Sequence, residues 1–177
     1  VGKPSTGSPD MGSYLAGVKD VASNVAIAGG GAALGGGAES YVKEAEINIA
    51  GGTVNGDIIG GGIAAYGETG KNGAANGGSV VDNATVNLTG GTVKGDVYAG
   101  GAASQYNYNT TNAQYTDAQS TVNHAIINWA GSDVEGVLDG TGYKVTDENG
   151  TKEKVDVADS TLNVSGENTL SPVMKDG

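Results

Sequence analysis

The chain repeats itself. Three segments align without a gap: AEINIAGGTVNGDIIGGG from Ala45, ATVNLTGGTVKGDVYAGG from Ala84 and AIINWAGSDVEGVLDGTG from Ala125. STLNVSGEN from Ser160 matches the first half of the unit, and successive starts lie 39, 41 and 35 residues apart. VAIAGG from Val25 is similar to VYAGG at Val97 and reads as a partial first copy. The repeat cores therefore fall near 45–62, 84–101, 125–142 and 160–168, with segments of varying length between them. A unit this short cannot bury its own apolar face. Copies must stack so that each covers the next.

The parity of the apolar positions sets the local structure. Ala45, Ile47 and Ile49 alternate with Glu46 and Asn48, and the same alternation holds for Ala84, Val86, Leu88, for Ala125, Ile127, Trp129, and for Ser160, Leu162, Val164. Period two marks a half-buried strand. A valine stands three positions before each strand (Val42, Val81, Val122, Val157), an odd offset that would point it the wrong way in one straight strand. A corner is expected between, at Lys43-Glu44, Asp82-Asn83, Asn123-His124 and Ala158-Asp159. Gly51-Gly52, Gly90-Gly91 and Gly131-Ser132 mark the next corner, because glycine accepts positive φ. A second strand is expected with Val54, Gly56, Ile58 on one face, as are Val93, Gly95, Val97 and Val134, Gly136, Leu138. It ends at a further glycine group. The run YKVT, the turn DENG and KEKVDV read as a hairpin added late in the chain.

Short strands joined by glycine corners, with equivalent residues recurring in register, predict an all-β fold: a parallel β-solenoid of about four to five coils with variable loop insertions. Each coil adds one strand spacing, about 4.8 Å, and parallel crossovers are right-handed as a rule. Residues 1–20 read as a flexible lead and 21–177 as the repeat domain, since both early prolines sit in GKPSTGSPDMGS. The rival reading is an antiparallel sandwich of short strands, which would not stack equivalent positions.

Composition narrows the function. Asp and Glu total 20 against nine lysines and no arginine, for a net charge of −11. Such a chain is a poor phosphate binder, which sets nucleic acid aside as a partner. Without cysteine there is no disulfide framework, thiolate metal site or cysteine nucleophile. One histidine, His124, cannot build a multi-histidine site, and neither a metal nor a cofactor is expected. No apolar run approaches the ~18 residues of a spanning helix. The chain starts with neither an initiator Met nor a basic, apolar signal pattern, so it reads as processed or as part of something longer.

The motif GGTVxGDVYxGG, at Gly51–Gly62 and Gly90–Gly101 with a degraded copy at Gly131–Gly142, resembles the repeats of bacterial autotransporter passengers and adhesin-like proteins. That resemblance covers roughly residues 42–168. It implies a right-handed β-helix on the outside of a bacterium, acting as stalk and adhesin toward a host glycan or surface protein. A phage tail-fibre segment would share these features. A self-assembling filament or surface-layer subunit, joined end to end, is the second expectation. A carbohydrate-active β-helix enzyme is the third; lyases of that shape commonly rely on arginine, which this chain lacks, and no catalytic residue stands out.

Several side chains are candidates for particular roles. Asn48, Asn87, Asn128 and Asn163 recur between inward residues and are expected to point outward as a hydrogen-bonded ladder. Asp57 and Asp96 are expected to form a solvated acidic strip on an outer face. His124 occupies a corner position, and Trp129 fills a core column. The insertion AASQYNYNTTNAQYTDAQS, residues 102–120, is the expected recognition element: Tyr106, Tyr108 and Tyr115 stand among Asn, Gln and Thr, a composition suited to adaptable contacts.

Overall fold

The computed structural model describes residues 24–34, 38–65, 78–104, 119–144, 154–166 and 173–175. The expected lead, residues 1–20, lies outside them. Strands β1 (Val25–Ala28), β2 (Ala32–Leu34) and β3 (Glu39–Val54) make a first pass. They are followed by β4 (Asp57–Ile59), β5 (Ile63–Ala65) and β6 (Gly78–Val93). The third pass is β7 (Val97–Tyr98), β8 (Ala102–Ser104) and β9 (Gln119–Trp129), with a short continuation β10 (Asp133–Val134). The fourth is β11 (Val137–Asp139), β12 (Tyr143–Lys144) and β13 (Lys154–Val164), after which β14 (Val173–Lys175) opens another.

These strands build three sheets, visited in constant order. Sheet I is β1-β4-β7-β11-β14, sheet II is β2-β5-β8-β12, and sheet III stacks β3, β6, β9 and β13, with β10 also on β6. Every pairing among the described residues is parallel, which removes the antiparallel sandwich. The chain is therefore all-β, with parallel strands in stacked sheets.

Equivalent residues of the repeat pair with one another. Ile47 faces Val86, Val86 faces Ile127 and Ile127 faces Leu162; Ile49, Leu88, Trp129 and Val164 form the next column. Ile47, Ile49, Val86, Leu88, Ile127 and Trp129, with Ile58, Val97 and Leu138 from sheet I, make one core in which Val86, Leu88, Ile127 and Leu138 have almost no exposure; Leu162 packs against it half-buried, and Val164 is exposed. Burying each such side chain contributes roughly 1.5–3 kcal/mol. Trp129 lies within this core, and its indole N–H donates to the Ser132 carbonyl at 2.7 Å.

The expected corner before each long strand is a bend inside it. The ladder of sheet III skips Lys43, Asp82, Asn123 and Ala158, while Val42, Val81, Val122 and Val157 pair on one side and Ala45, Ala84, Ala125 and Ser160 on the other. Both Val81 and Ala84 are buried, as are Val122 and Ala125, so the bend resolves their odd offset. At the next corner Gly52 and Gly91 take positive φ. In the third copy, where serine replaces the second glycine, the positive φ moves to Gly131.

Two expectations are corrected, and one sheet was not foreseen. The second strand does not run from Val54 through Gly56 to Ile58: sheet III ends at Val54, Val93 and Val134, and sheet I begins at Asp57, Val97 and Val137, with the glycines at a corner between. A third sheet, II, follows the second glycine group and has no counterpart in the parity reading. Its strands are only two or three residues long, too short to show a period. The described residues of the late hairpin do not pair with each other. Tyr143–Lys144 pairs in parallel with Ala102–Ala103, and Lys154–Val157 pairs in parallel with Gln119–Val122, in a different sheet. Both segments take the next position on an existing edge, which offers them a full ladder and a core that local antiparallel pairing would not. The DENG turn lies outside the described residues.

Candidate functional site

The broad outer face of sheet III carries the asparagine column. Asn87 Nδ2 donates to Asn48 Oδ1 at 2.8 Å, Asn128 Nδ2 to Asn87 Oδ1 at 2.7 Å, and Asn163 Nδ2 to Asn128 Oδ1 at 2.8 Å. The strand register sets these amides one strand spacing apart, the reach of an amide-to-amide bond. The neighbouring columns also pair along the stack. Asn83 Nδ2 donates to Glu44 Oε1 at 3.0 Å, Asn123 Nδ2 donates to Asp82 Oδ1 at 3.0 Å, and the Tyr41 hydroxyl donates to Asp82 Oδ2. That bond to Asp82 is the main cause that raises the Tyr41 phenol above its ordinary value. His124 Nδ1 meets Asp159 Oδ2 at 2.6 Å, with both side chains exposed. These bonds tie one pass to the next.

Asp57 and Asp96 do not form a solvated strip. Asp57 is buried, and its Oδ1 accepts from the Asp96 backbone N–H at 2.8 Å. Asp96 Oδ1 accepts in turn from the Val137 N–H at 2.8 Å, and its Oδ2 accepts from the Tyr98 hydroxyl at 3.0 Å. Each carboxylate satisfies a donor that the corner leaves out of the sheet ladder. Burial raises the Asp57 carboxyl above the usual carboxylate range, with the neighbouring Asp96 charge adding to it and the Asp96 N–H opposing it. Burial, then the bond to Asp96, also lifts the Tyr98 phenol well above its ordinary value. Tyr98 packs edge-on against Tyr143, ring centroids 5.4 Å apart. A shallow cleft of about 320 Å³ beside Asp57 is lined by Asn24, Asn55 and Lys94 as well. Among the described residues no three His, Cys, Asp or Glu side chains converge to hold a metal ion.

A serine column was not read from the sequence. Ser79 and Ser120 are fully buried; Ser79 Oγ donates to the Gly31 carbonyl at 3.3 Å and Ser120 Oγ to the Gly62 carbonyl at 2.9 Å. They fasten the start of sheet III to the start of sheet II one pass below. The signal was present as Ser40, Ser79 and Ser120, which share one register position. The adjoining glycines explain the tight fit: a Cβ on Gly62 would overlap Ser79 Oγ, and one on Gly101 would overlap Ser120 Oγ.

The remaining feature is the corner between sheets II and III. Residues 66–77, 105–118 and 145–153 each connect a strand of sheet II to one of sheet III. Their departure points stack, Ala65 beside Ser104, and so do their return points, with Gly78, Gln119 and Lys154 in one register column. All three insertions thus leave from and return to one edge of the stack. Tyr106, Tyr108 and Tyr115 lie outside the described residues; the strand ends that carry their segment do not. No helix among the described residues is long and apolar enough to cross a membrane. Comparison of the chain with known protein families, with curated proteins and with solved structures finds no match.

Proposed function

We propose that this chain is a segment of a bacterial cell-surface or secreted fibre. It folds as one right-handed parallel β-solenoid, serves as a stalk, and binds a host glycan or surface protein through its insertions. The observation that carries this reading is the common edge. Three insertions of different composition leave from stacked strand ends, so the scaffold presents them side by side on a rigid rod. The asparagine column on the outer face of sheet III is engaged in holding the stack together, which favours the insertions as the part free to vary with a ligand. The tyrosines of residues 105–118 supply aromatic faces for stacking on sugar rings or peptide surfaces and hydroxyls for hydrogen bonds. The repeat motif's resemblance to autotransporter passengers and adhesins supports a location outside the cell, where a net charge of −11 would keep such a rod soluble.

The test replaces Tyr106, Tyr108 and Tyr115 together by alanine. The wild-type chain is expected to be retained on at least one member of an immobilised panel of host glycans and surface proteins. The triple variant is expected to lose that retention more than tenfold with its thermal unfolding unchanged. Retention equal to wild type, or no retention of the wild-type chain anywhere on the panel, overturns the reading.

A further inference from the structure

Sheet I contains five strands where sheets II and III contain four in their stacks. The two ends of the molecule are therefore unlike. At one end β1, β2 and β3 begin their sheets together. At the other, β12 and β13 are the last strands of theirs, while β14 extends sheet I by one position, paired to β11 through Val137↔Val173, Leu138↔Met174 and Asp139↔Lys175. The outer edge of β13 has no strand on it among the described residues. Val164 is 52% exposed and Leu162 is half-buried, whereas their neighbours one pass inward, Trp129 and Ile127, are covered.

We infer that the β13 end is a docking surface for the β3 end of a second copy of this chain, and that β14 keeps it closed. The occupant follows from register. Setting a second copy's β3 on β13 in the pairing that β13 itself makes on β9 places Val42 on Val157, Ala45 on Ser160, Ile47 on Leu162 and Ile49 on Val164. Inward residues meet inward residues along the whole strand. Asn48 falls on Asn163, whose Oδ1 then accepts an amide N–H as Asn128 Oδ1 accepts from Asn163. The contact repeats the one that stacks each pass on the last, and it is head-to-tail and non-closing, so it propagates into a rod. The same placement sets the second copy's β2 on β12 and its β1 on β11. β14 already holds the position beside β11, so docking requires β14 to leave. One register position, Asp159 against Glu44, brings like charges together, and both copies carry −11, so docking strengthens with added salt.

The chain has no cysteine, which makes a cross-linking test clean. One partner carries Asn48→Cys. The other carries Asn163→Cys together with Val173→Pro and Met174→Pro. Successive residues direct their N–H groups to opposite edges, so paired prolines remove whichever donor faces β11. Parallel strands lie about 4.8 Å apart, inside the Cα separation of roughly 4.4–6.8 Å that a disulfide spans. Under mild oxidation at moderate salt a disulfide-linked heterodimer is expected. It is lost when β14 is intact in the Asn163→Cys partner, and lost when Tyr41→Cys replaces Asn48→Cys. No heterodimer from a released chain that still shows its melting transition overturns the proposal. So does an equal yield with β14 intact or with the Tyr41→Cys partner. Deletion of residues 173–177 is the release to use if the double variant fails to fold.

Discussion

Two polar columns run along this stack at the same spacing and behave differently. The asparagine column lies on the outer face of sheet III and bonds side chain to side chain; Asn48 and Asn163 at its ends are exposed. The carboxylate column, Asp57 and Asp96, lies at the corner leading into sheet I and bonds side chain to backbone. An exposed amide that loses its neighbour turns to water. A backbone N–H at this part-buried corner that loses its carboxylate is harder to rehydrate, and the cost of desolvation falls on it. Regular recurrence in a sequence therefore does not measure how much a column contributes. Depth does, together with what the column bonds to.

Asp96→Ala is the strongest test of that contrast. It strands the Val137 N–H and the Tyr98 hydroxyl, two donors that meet a charged acceptor in the native chain. At roughly 1.5–3 kcal/mol for each such bond, with partial rescue by water, a loss of about 2–4 kcal/mol is expected. In a chain of this size that lowers the melting temperature by about 4–16 °C, measured by calorimetry. A loss under about 0.5 kcal/mol would show that the corner is wet and that the carboxylates are no deeper in function than the amides.

Asp57 separates the columns by pH. Its folded value is raised above the ordinary 3.8, mainly by burial, so the fold prefers the protonated form. Asp57 thus contributes stability in acid that is lost as pH rises through the raised value. Asp57→Asn keeps an oxygen for the Asp96 N–H and removes the ionisation. Against wild type, the variant is expected to gain relative stability from about pH 3 to about pH 7, read from denaturant midpoints across that range. A difference that stays flat with pH, or moves the other way, breaks the account of a buried carboxylate. No such pH effect attaches to the asparagines, which do not titrate.

Much of this architecture was legible because a parallel stack writes its register into the chain. The recurrence of Ile47, Val86, Ile127 and Leu162 gave the strand, its inward face and its neighbours at once. Sheet II left no such trace. Strands as short as Tyr143–Lys144 are held by their position on an edge rather than by a pattern of their own. Asp57 and Asp96 were legible as a pair and misread in depth, since an acidic side chain after a glycine reads as exposed unless the backbone donor it serves is known. The bond from Asp57 joins residues 39 apart. The serine column was missed for a related reason: a buried Ser79 or Ser120 looks like any strand-edge polar residue until its acceptor, a glycine carbonyl one pass away, is in view. Period reports which face a residue takes, and partners across the stack report what it does there.

The asparagine column should yield the smallest effect, graded along its length. Asn128 both donates to Asn87 and accepts from Asn163, whereas among the described residues Asn163, last in the column, makes only the donation to Asn128. Asn128→Ala removes two ladder bonds at a half-buried position, and a loss of about 0.5–1.5 kcal/mol is expected. Asn163→Ala removes one at an exposed position and should cost less than about 0.5 kcal/mol. Both are measured by chemical denaturation with an unchanged slope, since neither alters the surface buried on folding. If the two losses were equal, the amides would act independently and the column would be a row of separate surface residues. If Asn128→Ala matched Asp96→Ala, the ladder would be cooperative along the axis, each bond polarising the next, and the contrast between the exposed and buried columns would fall.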